Sequence, residues 1–169
     1  GRPYIGVIFA GLMITKTGVR VIEFNARFGD PECQVLMMRL KSDLLPVLKA
    51  AAEGKLAGHN LDWHDMTAVN VVLAAKGYPG SYEKNTVIRS LENAQSKQNT
   101  TVFHAGTKKA ENGDILATGG RVLNVVGLGN SVKEAQSTAY KAVDAIDWEN
   151  GFCRRDIGWR AIAREEAAE

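Results

Sequence analysis

Apolar and polar residues alternate along the stretch VIEFNAR, residues 21–27. Alternation with a period of two is typical of a β-strand, because successive side chains point to opposite faces. The apolar positions are Ile22, Phe24 and Ala26, and the polar positions are Glu23, Asn25 and Arg27. The pattern therefore predicts a strand with three polar side chains together on one face and with Phe24 buried on the other.

This strand is predicted to be half of a β-hairpin. Two apolar, β-prone runs, residues 4–15 and 19–27, flank a short turn that ends at Gly18. Glycine suits a turn position that needs a positive φ. Pro31 is suited to the first turn of a helix, and apolar residues then recur at helical spacing over 33–40.

A second helix is predicted from the capping-type residues Ser42 and Asp43 to about Gly54. The polar, aperiodic residues 55–66 that follow indicate a domain boundary. We therefore predict two domains, which comprise residues 1–62 and residues 66–169.

The second domain has a different pattern. It is predicted to contain strands at 67–75, 101–106 and 121–127, separated by Gly-rich turns, and one amphipathic helix over 131–146. Ser131 and Glu134 have the spacing of a capping box at the start of that helix. The predicted fold class is α+β: an antiparallel hairpin with helices, followed by a smaller, mostly antiparallel β domain with a helix.

Composition narrows the class of protein. The chain has 169 residues, 45% of them apolar and 24% charged, and its net charge is only +2. This is typical of a globular protein without the basic excess of a nucleic-acid binder. No apolar run approaches the roughly 18 residues that a membrane span needs. Cys33 and Cys153 lie far apart without a CxxC motif, which favours neither zinc nor a disulfide framework. We expect a reducing, cytoplasmic location and no membrane or nucleic-acid partner.

The polar strand face is a candidate metal site. Mg²⁺ prefers oxygen ligands and commonly rests on one or two side chains together with nucleotide phosphates. Glu23 and Asn25, two residues apart on one face, supply a carboxylate and an amide oxygen, and Arg27 can bind a phosphate oxygen. A solvent-exposed strand face of ordinary polar residues is the alternative that this short pattern leaves open.

Longer motifs add a resemblance. The run EFNARFGDPE, residues 23–32, resembles the Glu-x-Asn-x-Arg element of ATP-grasp ligases, and its RFGDPE part resembles the signature of the glycinamide ribonucleotide synthetase family. Further blocks resemble that family in the same order: GVIFAGLMITKTG, AAKGYPGSY, FHAGT, GGRVLNVVGLG and CRRDIGWRAI. The likeness covers essentially the whole chain, and it implies the rear part of an ATP-grasp fold at residues 1–62 and a C-terminal domain at 66–169.

The resemblance implies an ATP-dependent ligase of purine synthesis that joins glycine to 5-phosphoribosylamine through glycyl phosphate. It implies that Glu23 and Asn25 hold Mg²⁺ or Mn²⁺ at the ATP phosphates. It also implies that Arg27 contacts those phosphates as a cofactor-binding and catalytic residue. Many ATP-grasp enzymes carry another acidic ligand on the preceding strand, but residues 10–14 here read AGLMI.

Two further groups are candidates for substrate binding. Asp30 and Glu32 follow the turn at Gly29 and are expected to orient the amine-bearing substrates, unless Asp30 and the following proline simply start the helix. Three arginines near the end of the chain are expected to bind the ribose phosphate, and a network of surface ion pairs is the alternative for them. They are Arg154, Arg155 and Arg160.

Some expected parts of an ATP site are missing from this sequence. It contains no GxxxxGK[ST] loop, no GxGxxG turn, and nothing that resembles a glycine-rich lid. We expect the N-terminal and lid domains of the same protein to supply these parts, and the present chain alone to be inactive. The alternatives are another ATP-grasp ligase, which the RFGDPE and GYPG blocks disfavour, and a non-catalytic C-terminal interaction module.

Overall fold

The structure is a computed structural model that describes residues 1–168. The chain divides into two compact units, one of residues 1–64 and the other from Asp65 onwards. The last residue of the predicted second domain, Glu169, lies outside the described residues. No helix within residues 1–168 is long and apolar enough to cross a membrane.

The first unit consists of a hairpin and two helices: β1 (Phe9–Thr15), β2 (Gly18–Asn25), α1 (Glu32–Arg39) and α2 (Leu44–Ala52). The strands pair antiparallel, with Phe9 opposite Asn25 and an irregularity after Gly11. Asp43 caps α2 by accepting a hydrogen bond from the backbone N–H of Leu45 at 2.9 Å. The predicted hairpin and the capping role of Asp43 are confirmed.

The hairpin leaves apolar side chains on its surface. Phe24 is 67% exposed and Ile14 is 85% exposed, so the prediction that Phe24 is buried is wrong for this chain. Two strands alone cannot enclose a core, because both faces stay open until another element packs on them. The contact between Glu23 and Asn25 agrees with a shared face for these two residues, but alternation carries no information about what covers either face.

The second unit carries two antiparallel sheets and three helices. Its strands are β3 (Thr67–Ala75), β4 (Thr86–Ile88), β5 (Thr100–His104), β6 (Thr107–Lys109), β7 (Ile115–Ala117), β8 (Arg121–Gly129) and β9 (Gly151–Phe152). Its helices are α3 (Leu91–Gln95), α4 (Val132–Val143) and α5 (Trp159–Glu166). The larger sheet has the order β5-β8-β3-β9 and the smaller has the order β4-β7-β6. The predicted α+β class is confirmed.

The core of this unit lies between the larger sheet and α4. Val71, Leu123 and Val125 from the sheet and Ala135 and Ala139 from the helix are buried in it. Alanine on the helix brings its backbone close to β8, which favours glycine on the strand. The predicted capping box at α4 is present in part: Ser131 Oγ accepts from Glu134 N–H, while the Glu134 carboxylate accepts from Asn130 N–H instead of from Ser131 N–H.

The close approach of β8 to α4 makes Gly127 a sensitive position. A Cβ there would meet the backbone nitrogen of Ala139 and would lie 2.5 Å from the carbonyl oxygen of Ala135. Gly127→Ala should therefore lower the free energy of unfolding by about 2–3 kcal/mol, because backbone atoms of a packed helix must move. Urea unfolding of the chain measures this change.

Gly113→Ala is the matched control for this substitution. Gly113 has a φ of +93° and no heavy atom within 4 Å of an added Cβ, so only backbone strain of about 1–2 kcal/mol is expected. Equal stability of wild type and Gly127→Ala would contradict the described packing.

Candidate functional site

The polar face of β2 brings three side chains into a row. Asn25 Nδ2 donates to Glu23 Oε1 at 3.0 Å, and Arg27 Nη2 donates to Asn25 Oδ1 at 3.4 Å. Arg27 follows the end of β2, and its Nη1 also donates to the carbonyl oxygen of Phe28 at 2.7 Å. Carboxylate, amide and guanidinium thus lie side by side, as the alternating pattern predicted.

The distance between the side-chain atoms of Glu23 and Asn25 shows whether these two residues could bind Mg²⁺ together. Amide oxygen and nitrogen have nearly the same size, and either can take the position facing Glu23. With its oxygen there, Asn25 would place two oxygen atoms 3.0 Å apart. Neighbouring ligands in an octahedron around Mg²⁺ are also separated by about 3 Å. Glu23 and Asn25 therefore fit Mg²⁺ as two adjacent ligands. Elsewhere in residues 1–168, no group of three or more His, Cys, Asp or Glu side chains forms a metal site.

The turn after β2 is tightly built around Gly29. This glycine is buried, and a Cβ on it would lie 2.5 Å from Glu32 Oε2 and 2.9 Å from the Phe9 ring. The carboxylate of Glu32, the first residue of α1, is thereby held over the turn, while Asp30 is exposed. The N-cap residue of α1 is Pro31.

The three predicted arginines do not lie together. Arg154 donates to both carboxylate oxygens of Asp156, at 2.9 Å from Nε and 2.6 Å from Nη2. These hydrogen bonds lower the pKa of Asp156. Arg155 pairs with Asp144 at 2.6 Å and stacks on the ring of Tyr140, 5.4 Å from its centre. The neighbouring thiol of Cys153 has a raised pKa because it is partly buried, so it is not an activated nucleophile.

Arg154 and Arg160 do share a groove, and a third arginine joins them there. The cavity has a volume of about 440 Å³ and is formed by residues 154–164: Arg154, Asp156, Ile157, Gly158, Trp159, Arg160, Ala161 and Arg164. Arg164 lies one helical turn after Arg160 on α5. Arg164 was not among the arginines predicted to bind the ribose phosphate. The i, i+4 spacing of two arginines next to Trp159 was the signal that could have identified it.

Three of the sequence blocks that resemble the family lie close together in the second unit. They are AAKGYPGSY, FHAGT and GGRVLNVVGLG. The backbone of Gly106 contacts that of Gly119, and Thr118 N–H donates to Gly106 O at 2.7 Å. The Tyr78 ring lies against Gly120, where a Cβ would overlap it. Gly119 and Gly120 thus allow neighbouring chain segments to pack closely. This close packing explains why glycines occupy the turn, and their role is structural.

Two models of known protein families match this chain. The family model described as "Phosphoribosylglycinamide synthetase, C domain" matches residues 68–160, which is more than half of the chain. The model described as "Phosphoribosylglycinamide synthetase, ATP-grasp (A) domain" matches residues 1–33, which include β2 and the turn. The chain belongs to the phosphoribosylglycinamide synthetase family. The resemblance identified from the sequence motifs is confirmed.

Individual members of the phosphoribosylglycinamide synthetase family are also similar to this chain. A phosphoribosylamine–glycine ligase of Agrobacterium fabrum is 60% identical over 167 residues, which cover 99% of this chain and 39% of that protein. The chloroplastic ligase of Arabidopsis thaliana is 54% identical over 99% of this chain and 32% of its own length. The crystal structure of the Thermotoga maritima ligase matches with a TM-score of 0.75 at 30% identity, covering 89% of this chain and 36% of that one. The chain therefore spans less than half the length of these phosphoribosylglycinamide synthetases.

Proposed function

We propose that this chain is the C-terminal part of an ATP-dependent ligase that joins glycine to 5-phosphoribosylamine in purine synthesis. The observation that carries the proposal is the Glu23–Asn25–Arg27 row on β2, inside a segment that matches the family's ATP-grasp domain. The names of the relatives, at 50–60% identity over nearly the whole chain, support the same reaction.

The residues of the first unit act on the nucleotide in this proposal. Glu23 and Asn25 would hold Mg²⁺ or Mn²⁺, which would supply positive charge to stabilise the ATP phosphates. Arg27 is exposed and binds phosphate oxygens with the fork of its guanidinium. Asp30 and Glu32 accept hydrogen bonds from the amine-bearing substrates, and the packing around Gly29 holds Glu32 in place.

Residues of the second unit bind the sugar phosphate in this proposal. Arg154 and Arg160 lie in one groove and provide the positive charge. Arg155 is left out of the phosphate site because it is paired with Asp144 and does not line that groove. The location proposed for the protein is a reducing cytoplasm, because Cys33 and Cys153 are free thiols.

The test is an assay of the full-length protein that contains this chain. ADP release should require both glycine and 5-phosphoribosylamine, and the amide product should form in equal amount. Alanine and β-alanine in place of glycine separate this ligase from one that acts on another carboxylate. ADP release that is independent of glycine, or a full-length protein without any ligase activity, would overturn the proposal.

A further inference from the structure

The row of three polar side chains extends past the end of the hairpin. The paired part of the hairpin ends where Phe9 lies opposite Asn25, and the chain bends at Ala26 and Arg27. Pairing with β1 therefore fixes the backbone of Glu23 and Asn25 but not that of Arg27. The position of Arg27 relative to Asn25 thus depends on what holds the bend at Ala26.

The hydroxyl of Tyr4 holds this bend. It lies 3.0 Å from the carbonyl oxygen of Ala26 and 3.1 Å from that of Val7. A tyrosine hydroxyl has one proton, which the two carbonyl oxygens share. Without that proton, two partially negative oxygens would face each other with no donor between them. The hydroxyl thus fastens the segment before β1 to the segment after β2, 22 residues further along the chain.

Gly6 allows the ring of Tyr4 to lie where its hydroxyl reaches both carbonyl groups. Gly6 has a φ of +152°, and a Cβ on it would lie 2.5 Å from the hydroxyl oxygen of Tyr4 and 2.9 Å from Cζ. Only glycine therefore fits under the hydroxyl end of this ring. Tyr4 is 50% exposed, so apolar burial alone does not explain the arrangement. What the local chain does provide for is the position of the hydroxyl.

We propose that Tyr4 is a positioning residue for the Glu23–Asn25–Arg27 row, and that its hydroxyl fixes the bend between Asn25 and Arg27. Arg27 Nη2 lies 3.4 Å from Asn25 Oδ1, so a small rotation at the bend would separate the two side chains. Groups that orient ligand residues commonly affect metal affinity and activity without touching metal or substrate. The effect on ATP and metal binding rests on the proposed function, whereas the hydrogen bond between Tyr4 and Ala26 does not.

The carbonyl resonance of Ala26 provides a test that is independent of activity. The 169-residue chain is labelled with ¹³C at alanine carbonyl groups and with ¹⁵N in arginine. A correlation between each carbonyl carbon and the next amide nitrogen then shows only Ala-Arg pairs, and the sequence has two, at 26–27 and 163–164. Tyr4→Phe should move the Ala26 resonance upfield, because a hydrogen bond deshields a carbonyl carbon. The Ala163 resonance should stay in place, and an unmoved Ala26 resonance would overturn the proposal.

A matched control removes the same kind of hydrogen bond from the far end of the hairpin. Thr15 Oγ1 donates to the carbonyl oxygen of Gly18 at 2.7 Å, and Thr15→Val deletes that bond. Binding of Mn²⁺ to the full-length protein in the presence of ATP is followed by electron paramagnetic resonance. Tyr4→Phe should weaken it by about two- to tenfold, the factor expected for one neutral hydrogen bond, and Thr15→Val should not. Equal Mn²⁺ affinities in the two variants would show that Tyr4 has only a structural role.

Kinetics of the full-length protein separate this inference from the proposed function. Tyr4→Phe should lower kcat by about two- to tenfold, with the KM for glycine and the KM for 5-phosphoribosylamine unchanged. An active ligase in which Tyr4→Phe keeps the wild-type kcat would refute the positioning role and leave the function standing. If the wild-type protein shows no ligase activity, the proposed function fails, while the Ala26 resonance and the Mn²⁺ affinity still decide the role of Tyr4.

Discussion

Glu23→Gln or Asn25→Asp in the full-length protein should lower ligase turnover by about two to three powers of ten. Loss of one well-placed electrostatic contact in a site that transfers charged groups commonly has an effect of this size. Glutamine keeps the shape of Glu23 but removes its charge, and aspartate replaces the neutral amide of Asn25 by a second carboxylate. Turnover is measured at saturating ATP and Mg²⁺, so that weaker substrate binding alone cannot explain a loss.

Folding and metal binding must be followed separately in these variants. Glu23 is exposed and Asn25 is half-buried on the hairpin, and their replacement should leave the thermal midpoint nearly unchanged. Lys16→Gln, at the turn of the same hairpin, is the matched control and should keep normal turnover. Binding of Mn²⁺ in the presence of ATP, followed by electron paramagnetic resonance, should weaken in both site variants. Near-normal turnover together with unchanged Mn²⁺ binding would contradict the assignment.

The 169-residue chain by itself should release no ADP in response to glycine and 5-phosphoribosylamine. Glu23, Asn25 and Arg27 form one exposed row, and phosphate charge bound there would remain largely in water, where each contact is weak. Calorimetry should accordingly detect no micromolar ATP binding. Glycine-dependent ADP release or micromolar affinity in this chain would show that its residues form a complete ATP site.

The exposed apolar surface of the hairpin has a second consequence for the isolated chain. Ile14 and Phe24 are among many apolar residues of the first unit that contact water, and such surfaces favour association. Sedimentation should therefore show concentration-dependent self-association of the 169-residue chain. Ile14→Lys combined with Phe24→Lys should reduce it.

Local patterns in the sequence predicted those features that depend on near neighbours. The row on β2 follows from a period of two, and the caps at Asp43 and Ser131 follow from the preferences of helix starts. The sheet formed by β4, β6 and β7 was not predicted, because strands of three residues are too short to show a period. α5 was also missed, since its N-cap residue is a glycine without a capping side chain and the helix contains no buried residue.

The candidate phosphate groove shows a different limit of sequence reasoning. The adjacent residues Arg154 and Arg155 seemed equivalent, yet one lines the groove and the other pairs with Asp144. That difference depends on Tyr140 and Asp144 of the preceding helical segment, at a separation of more than ten residues. The number of arginines identified this part of the chain as positively charged. Which of them share a cavity depends on the packing of α5 on α4.

The contact between α5 and α4 links two distant parts of the chain. Glu165 accepts hydrogen bonds with both carboxylate oxygens, at 3.0 and 3.2 Å, from the backbone N–H of Val132, 33 residues earlier. Lys133 forms an ion pair with Glu166 at 2.9 Å. Deleting the last five residues would therefore uncover the start of α4 as well as shorten α5. A purification tag on this chain is better appended after the final residue than substituted for the last turn.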